Sequence, residues 1–108
     1  MGLYNNLIAN NPNNRVVWGR LSSSSYQFGL LKQINGLSVI NQREDNSIWD
    51  GKWVHWTLTI TEDGVYTLTN DINDKVFAGT NNAAFVNTYL RIIFHQNNYL
   101  SNIKIKSL

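Results

Sequence analysis

Nine tryptophan and tyrosine side chains in 108 residues, set among 17 asparagines, carry most of the chemistry this chain offers. Sugar rings present C–H faces that pack on aromatic planes, and their hydroxyls need amide or carboxylate partners. Exposed Trp or Tyr beside Asn, Gln, Asp and Arg is therefore a physical recipe for binding carbohydrate. The densest such stretch reads Asn41-Gln42-Arg43-Glu44-Asp45-Asn46-Ser47-Ile48-Trp49-Asp50-Gly51-Lys52-Trp53. It nominates Trp49 as a stacking platform, with Trp18 and Tyr26 as further rings and Asn41, Gln42, Arg43, Asp45 and Asn46 as hydroxyl partners. The competing expectation makes Trp49 a plug over one end of the fold.

Oxygen-rich loops also raise calcium, which prefers carboxylate and carbonyl ligands. Asn70, Asp71, Asn73 and Asp74 form one candidate cluster and Asp45, Asn46 and Asp50 a second. Neither has the spacing of a helix-loop-helix site, and a turn accounts for the first without any ion, so no metal site is assigned.

Catalysis is poorly provided for. There is no cysteine, which removes thiol nucleophiles and thiolate metal sites. His55 and His95 lack the spacing of a helical zinc pair, and no Gly-x-Ser-x-Gly elbow or Gly-Lys-Ser/Thr phosphate loop occurs. Glycoside hydrolysis needs two carboxyl groups flanking one bond. Only Glu44 with Asp45, which point apart if extended, and Glu62 with Asp63, in a turn, stand close in sequence. A binding protein rather than an enzyme is expected, with no catalytic residue.

The elements that must position these residues are strands. In Trp53-Val54-His55-Trp56-Thr57-Leu58-Thr59-Ile60 the apolar Val54, Trp56, Leu58 and Ile60 share one face and Trp53, His55, Thr57 and Thr59 the other. Asp63-Gly64 supplies a hairpin turn, and Val65-Tyr66-Thr67-Leu68-Thr69 returns as the partner. Val76-Phe77-Ala78 is a third strand of this meander. Earlier strands are expected at 16–21, 26–31 and 37–42, and later ones at 89–95 and 99–106, where Lys104 and Lys106 suit a sheet edge. Short helical turns are conceivable only at 3–9 and 82–87. Seven or eight short strands predict an all-β, antiparallel β-sandwich or barrel forming one domain over 1–108.

Nine Lys plus Arg against seven Asp plus Glu leave a net charge of +2, and the basic residues are scattered. A nucleic-acid partner would want them clustered on one face. No stretch approaches the roughly 18 apolar residues of a membrane helix, and the first fifteen residues lack the pattern of a signal peptide. Asparagine fits turns, as at Asn35-Gly36, Asn70-Asp71 and Asn97-Asn98, so most of its abundance follows from the number of strand connections.

From Asp50 onward the residues Asp50-Gly51-Lys52-Trp53-Val54-His55-Trp56-Thr57-Leu58-Thr59-Ile60, then Glu62-Asp63-Gly64, Asn70-Asp71, Val76-Phe77 and the closing Tyr99-Leu100-Ser101-Asn102-Ile103-Lys104-Ile105 resemble the concanavalin A-like lectin and laminin G type of jelly roll. The resemblance covers a little over half of the chain. It implies a jelly-roll sandwich. The catalytic Glu-x-Asp-x-x-Glu strand of related glucanases has no counterpart, which favours a binding module over a hydrolase. Small asparagine-rich jelly rolls of this kind also resemble carbohydrate- and receptor-binding domains of phage tail and baseplate proteins. That likeness implies host recognition from a virion or an extracellular surface, as a module of a larger protein. The expectation is thus a non-catalytic domain recognising cell-surface or cell-wall saccharide, with binding largely independent of salt. The alternative is a structural or assembly domain whose aromatics pack against another subunit or a second copy of the chain.

Overall fold

The computed structural model describes residues 2–4, 14–21, 26–83, 89–91 and 104. All regular structure among them is β except one short 3₁₀ turn: β1 (Gly2–Tyr4), β2 (Arg15–Arg20), β3 (Gln27–Ile34), β4 (Leu37–Asp45), the 3₁₀ turn Ser47–Trp49, β5 (Trp56–Ile60), β6 (Val65–Asn70), β7 (Phe77–Thr80) and β8 (Tyr89–Arg91). They form two antiparallel sheets, one of five strands in the order β4-β3-β2-β1-β8 and one of three in the order β5-β6-β7.

Period-two alternation sets which face each side chain takes, although β3 is buried on both faces, Leu31 lying opposite its inward row. On β3 the residues Phe28, Leu30 and Lys32 face inward, and on β6 Tyr66 and Leu68 do. With Val16, Ile40, Trp49 and Phe77 the apolar members of these rows make one core shared by both sheets, and Trp18, Ile48, Val54, Trp56, Leu58 and Ile72 pack against it.

Two hairpins show how local chemistry fixes register. Asn35 (φ 51°) and Gly36 (φ 80°) both adopt left-handed backbone, as a two-residue turn between right-twisted strands requires. Asn14 Oδ1 accepts the Asn35 amide at 2.7 Å and steadies that turn. Beyond the turn the pairing of β3 with β4 shifts by one residue, from Gln33↔Ser38 to Lys32↔Ile40. The extra residue, Val39, is left at the surface while Ile40 turns into the core. Ile40 is also where β4 meets β7: a methyl on Gly79 would lie 2.6 Å from the Ile40 side chain, so only glycine allows this approach.

The second hairpin follows the expected path. Ile60 pairs with Tyr66, Gly64 takes φ 81°, and its amide bonds the Thr61 carbonyl at 3.0 Å. Gly64 also accepts the Asn81 amide at 2.8 Å, fastening the chain after β7 to the β5–β6 turn.

Several strand limits differ from the sequence expectation. β4 runs on through Asp45 because each of its polar residues pairs with β3, as far as Asp45↔Gln27. β7 continues to Thr80, past the glycine expected to open a loop. Residues 2–4 pair as a strand with both β2 and β8, where a helical turn was conceivable. Most of the expected strands at 89–95 and 99–106, with His95 and Lys106, and most of the 82–87 turn lie outside the described residues.

Candidate functional site

Trp49 is not a stacking platform. Asn46 caps the 3₁₀ turn, its Oδ1 accepting the Ile48 amide at 3.0 Å, and this drives the indole of Trp49 inward until it is 2% exposed. Phe28, Trp56 and Phe77 lie around it with ring centroids 5.3, 5.8 and 6.0 Å away. Its Nε1 donates to Asn70 Oδ1 at 3.0 Å. No sugar can reach either face, so the competing expectation of a core plug describes it. Trp18 is likewise partly buried, on the core-facing side of β2.

The strand geometry of β4 sorts the remaining candidates. Ile40 faces the core, so Gln42 and Glu44 follow it on the inner side while Asn41, Arg43 and Asp45 share the outer side. Gln42 is solvent-exposed but turned away from the other three. On the outer side Arg43 Nε donates to Asn41 Oδ1 at 2.6 Å and Nη1 to Gln27 Oε1 at 3.3 Å. Asp45 stands opposite Gln27. Tyr26, 50% exposed, precedes Gln27, and its carbonyl accepts the Asn46 amide at 3.0 Å. Tyr26, Asn41, Arg43 and Asp45 are thus brought to one end of the β3–β4 hairpin, joined by Gln27. Asn46 lies beside them with its side chain committed, since besides capping the turn it donates to Glu44 Oε1 at 3.3 Å.

Glu44 and Asp45 point to opposite sides of β4. Glu44 Oε2 lies 3.3 Å from Lys75 Nζ, an ionic contact rather than a well-formed hydrogen bond. The other acidic pair serves its hairpin, with Asp63 accepting the Thr61 hydroxyl. Asp50 is bound by Arg20 Nη1 at 2.6 Å.

The asparagine-rich turn after β6 is built around Asn70. Its Oδ1 accepts the amides of Ile72 and Asn73 at 2.9 and 3.0 Å as well as the Trp49 indole, and its Nδ2 donates to Asn73 Oδ1. Asp71 Oδ1 accepts the His55 amide at 2.9 Å. These oxygens are engaged in holding the turn and in seating Trp49. Among the described residues no three His, Cys, Asp or Glu side chains gather as a metal site.

Three positions escaped sequence reasoning. Gln27 joins the outer-face cluster only through the β3–β4 register, which the sequence does not reveal. Trp53 is 68% exposed on the loop entering β5, a position the alternation signalled only by setting it opposite Trp56. Lys32 is fully buried: its Nζ donates to Tyr66 Oη at 2.7 Å and to the carbonyls of Asn81 and Ala83 at 3.0 and 2.8 Å, and lies 4.6 Å from the Tyr66 ring centre. Burial lowers the Lys32 pKa and raises that of Tyr66, since each charged form loses solvation. The signal for Lys32 was its phase, two and four residues after Leu30 and Phe28.

No protein-family model, curated protein or solved structure matches the chain.

Proposed function

We propose that this is a non-catalytic saccharide-binding domain of jelly-roll type, with its binding surface at the end of the β3–β4 hairpin. One observation carries the reading: half-exposed Tyr26, whose backbone carbonyl is bonded to the Asn46 amide, adjoins in the chain an outward row of amide and charged side chains, Gln27, Asn41, Arg43 and Asp45. Tyr26 supplies the apolar plane for a sugar C–H face, and the polar row supplies hydroxyl partners. The pairing of β1 with both β2 and β8 brings early and late strands side by side, which supports the jelly-roll reading. Recognition of a cell-surface or cell-wall saccharide from a virion or extracellular surface is the setting we propose.

The test is a glycan array followed by titration of the best binder against the parent and against Tyr26→Ala and Asn41→Ala. Both variants alter exposed side chains, so folding is expected to survive and binding to fall by about ten-fold for each. An array without binders, or a Tyr26→Ala variant that binds as well as the parent, would overturn the proposal.

A second reading, an assembly surface, is favoured by other exposed apolar residues. Leu37 and Val39 on β4, and Val76 before β7, are 72%, 38% and 50% exposed. Solution mass separates the two. A stable oligomer that shields Trp53 supports assembly, whereas a monomer whose tryptophan emission at Trp53 is insensitive to concentration supports the binding module.

A further inference from the structure

The outer-face cluster has a donor and acceptor balance that narrows the class of saccharide it takes. This step rests on the reading of that surface as a sugar site. A hydroxyl both donates and accepts, so a surface for neutral sugars offers both kinds of group. Here one of the two lone pairs on each amide oxygen of the cluster is engaged internally. Asn41 Oδ1 is taken by Arg43 Nε, and Gln27 Oε1 by Arg43 Nη1. The three side chains keep more unengaged donors than acceptors: the amide hydrogens of Asn41 and Gln27 and the remaining hydrogens on the two terminal nitrogens of Arg43, against one lone pair on each amide oxygen.

The charge is likewise unspent. Arg43 is steadied by two neutral amides rather than by a carboxylate, so its full positive charge remains at the surface. Two other cations are paired with carboxylates, Arg20 with Asp50 and Lys75 with Glu44, while Arg15, like Arg43, is held by an amide, Gln33 Oε1. Asp45 is the acid nearest along the same face, and it makes no ion pair with Arg43. Glu44 lies on the other side of the strand, held by Asn46 and Lys75. A guanidinium locked at Nε presents its terminal fork, a geometry that matches the two oxygens of a carboxylate or phosphate.

We infer that the Gln27–Asn41–Arg43 cluster binds an oxyanion carried on a sugar, a carboxylate or a phosphate, with Tyr26 covering the adjoining ring and Asp45 accepting a hydroxyl. Binding is then sensitive to salt, in contrast to the recognition of a neutral glycan.

The experiment uses an array holding uronate, sialate and phosphosugar glycans beside neutral ones. The best binder is then titrated together with its uncharged counterpart, the methyl ester of a carboxylate or the dephosphorylated form of a phosphate, which also tells the two oxyanions apart. The charged glycan should bind about ten-fold or more tightly than its neutral form, and weaken between about 50 mM and about 500 mM salt. Arg43→Gln should remove that preference, and Arg43→Lys should retain only part of it because the fork is lost. If the binders are neutral and Arg43→Gln leaves them unchanged, the oxyanion inference is overturned while the sugar site stands. An array with no binder removes both. Inorganic phosphate competing at the same concentration as the glycan would show an anion site without sugar recognition, and would also overturn the inference.

Discussion

Replacing Lys32 with methionine tests whether the buried ammonium holds the two sheets together or only burdens the core. Its three donors go to Tyr66 Oη on β6 and to the Asn81 and Ala83 carbonyls after β7, so one side chain of the five-stranded sheet ties down the far end of the three-stranded one. Methionine keeps the length and the apolar stem but strands three acceptors. A stranded buried polar group costs about 1–3 kcal/mol. The two carbonyls belong to partly accessible residues, so about 1 kcal/mol each is appropriate, with about 2 kcal/mol for the buried Tyr66 hydroxyl. The relief of a desolvated charge works the other way and offsets part of this. A net loss of about 2–3 kcal/mol is expected, lowering Tm by roughly 10 °C for a chain of this size. Urea unfolding measures the first and calorimetry the second, while hydrogen exchange at residues 81–83 should accelerate. A methionine variant as stable as the parent would refute the strut, because relief of desolvation would then match or exceed the lost bonds.

The pH dependence carries the sign of the same argument. The folded state lowers the Lys32 pKa below its ordinary 10.5, so between the folded value and 10.5 the unfolded chain holds more protons and stability rises with pH. Tyr66 is raised above its ordinary 10.0, so its contribution is present below pH 10.0 and is lost as pH climbs through the folded value. The parent should therefore gain on the Lys32→Met variant as pH rises toward 10.5, and Tyr66→Phe should blunt the alkaline loss. A parent-minus-variant difference that is flat over this range would contradict the assigned burial.

Two further outcomes follow from the framework around the site. Asn70→Ala removes the acceptor of the Trp49 indole and of two turn amides, and is expected to cost about 2–3 kcal/mol by chemical denaturation; a cost under about 0.5 kcal/mol would show that water replaces it. Gly29→Ala would set its methyl 1.9 Å from the Gln42 carbonyl oxygen, which the β3–β4 pairing cannot absorb. That variant should lose about 3 kcal/mol or more and, by moving β4, should also weaken the glycan binding proposed for this surface, whereas normal stability would contradict the close approach.

What the sequence made legible is what one strand can say about itself. The hairpin at Asp63-Gly64 and the meander through Val76-Phe77 follow from period-two alternation and turn chemistry, which are local properties, whereas the strand expected from Trp53 begins only at Trp56. Trp49 was not decided locally. The same indole in the same polar stretch serves as a platform if the chain runs straight and as a core plug if Asn46 caps a turn beneath it. Asn70, 21 residues away, supplies the acceptor that holds the plug in place. The expected strand stops at Gln42, and only pairing with β3 carries it on through Asp45, sending Gln42 to one side and Asn41, Arg43 and Asp45 to the other. Composition therefore marked, to within a few residues, the stretch from which the proposed surface is drawn. The register then decides which of them share a face, adding Gln27, which no local pattern marks, and leaving Tyr26 as the ring available to the proposed site. Lys32 is the converse case, since its in-phase position after Phe28 and Leu30 was local information, but a cation in an apolar row makes sense only once the carbonyls of Asn81 and Ala83 are seen to close over it.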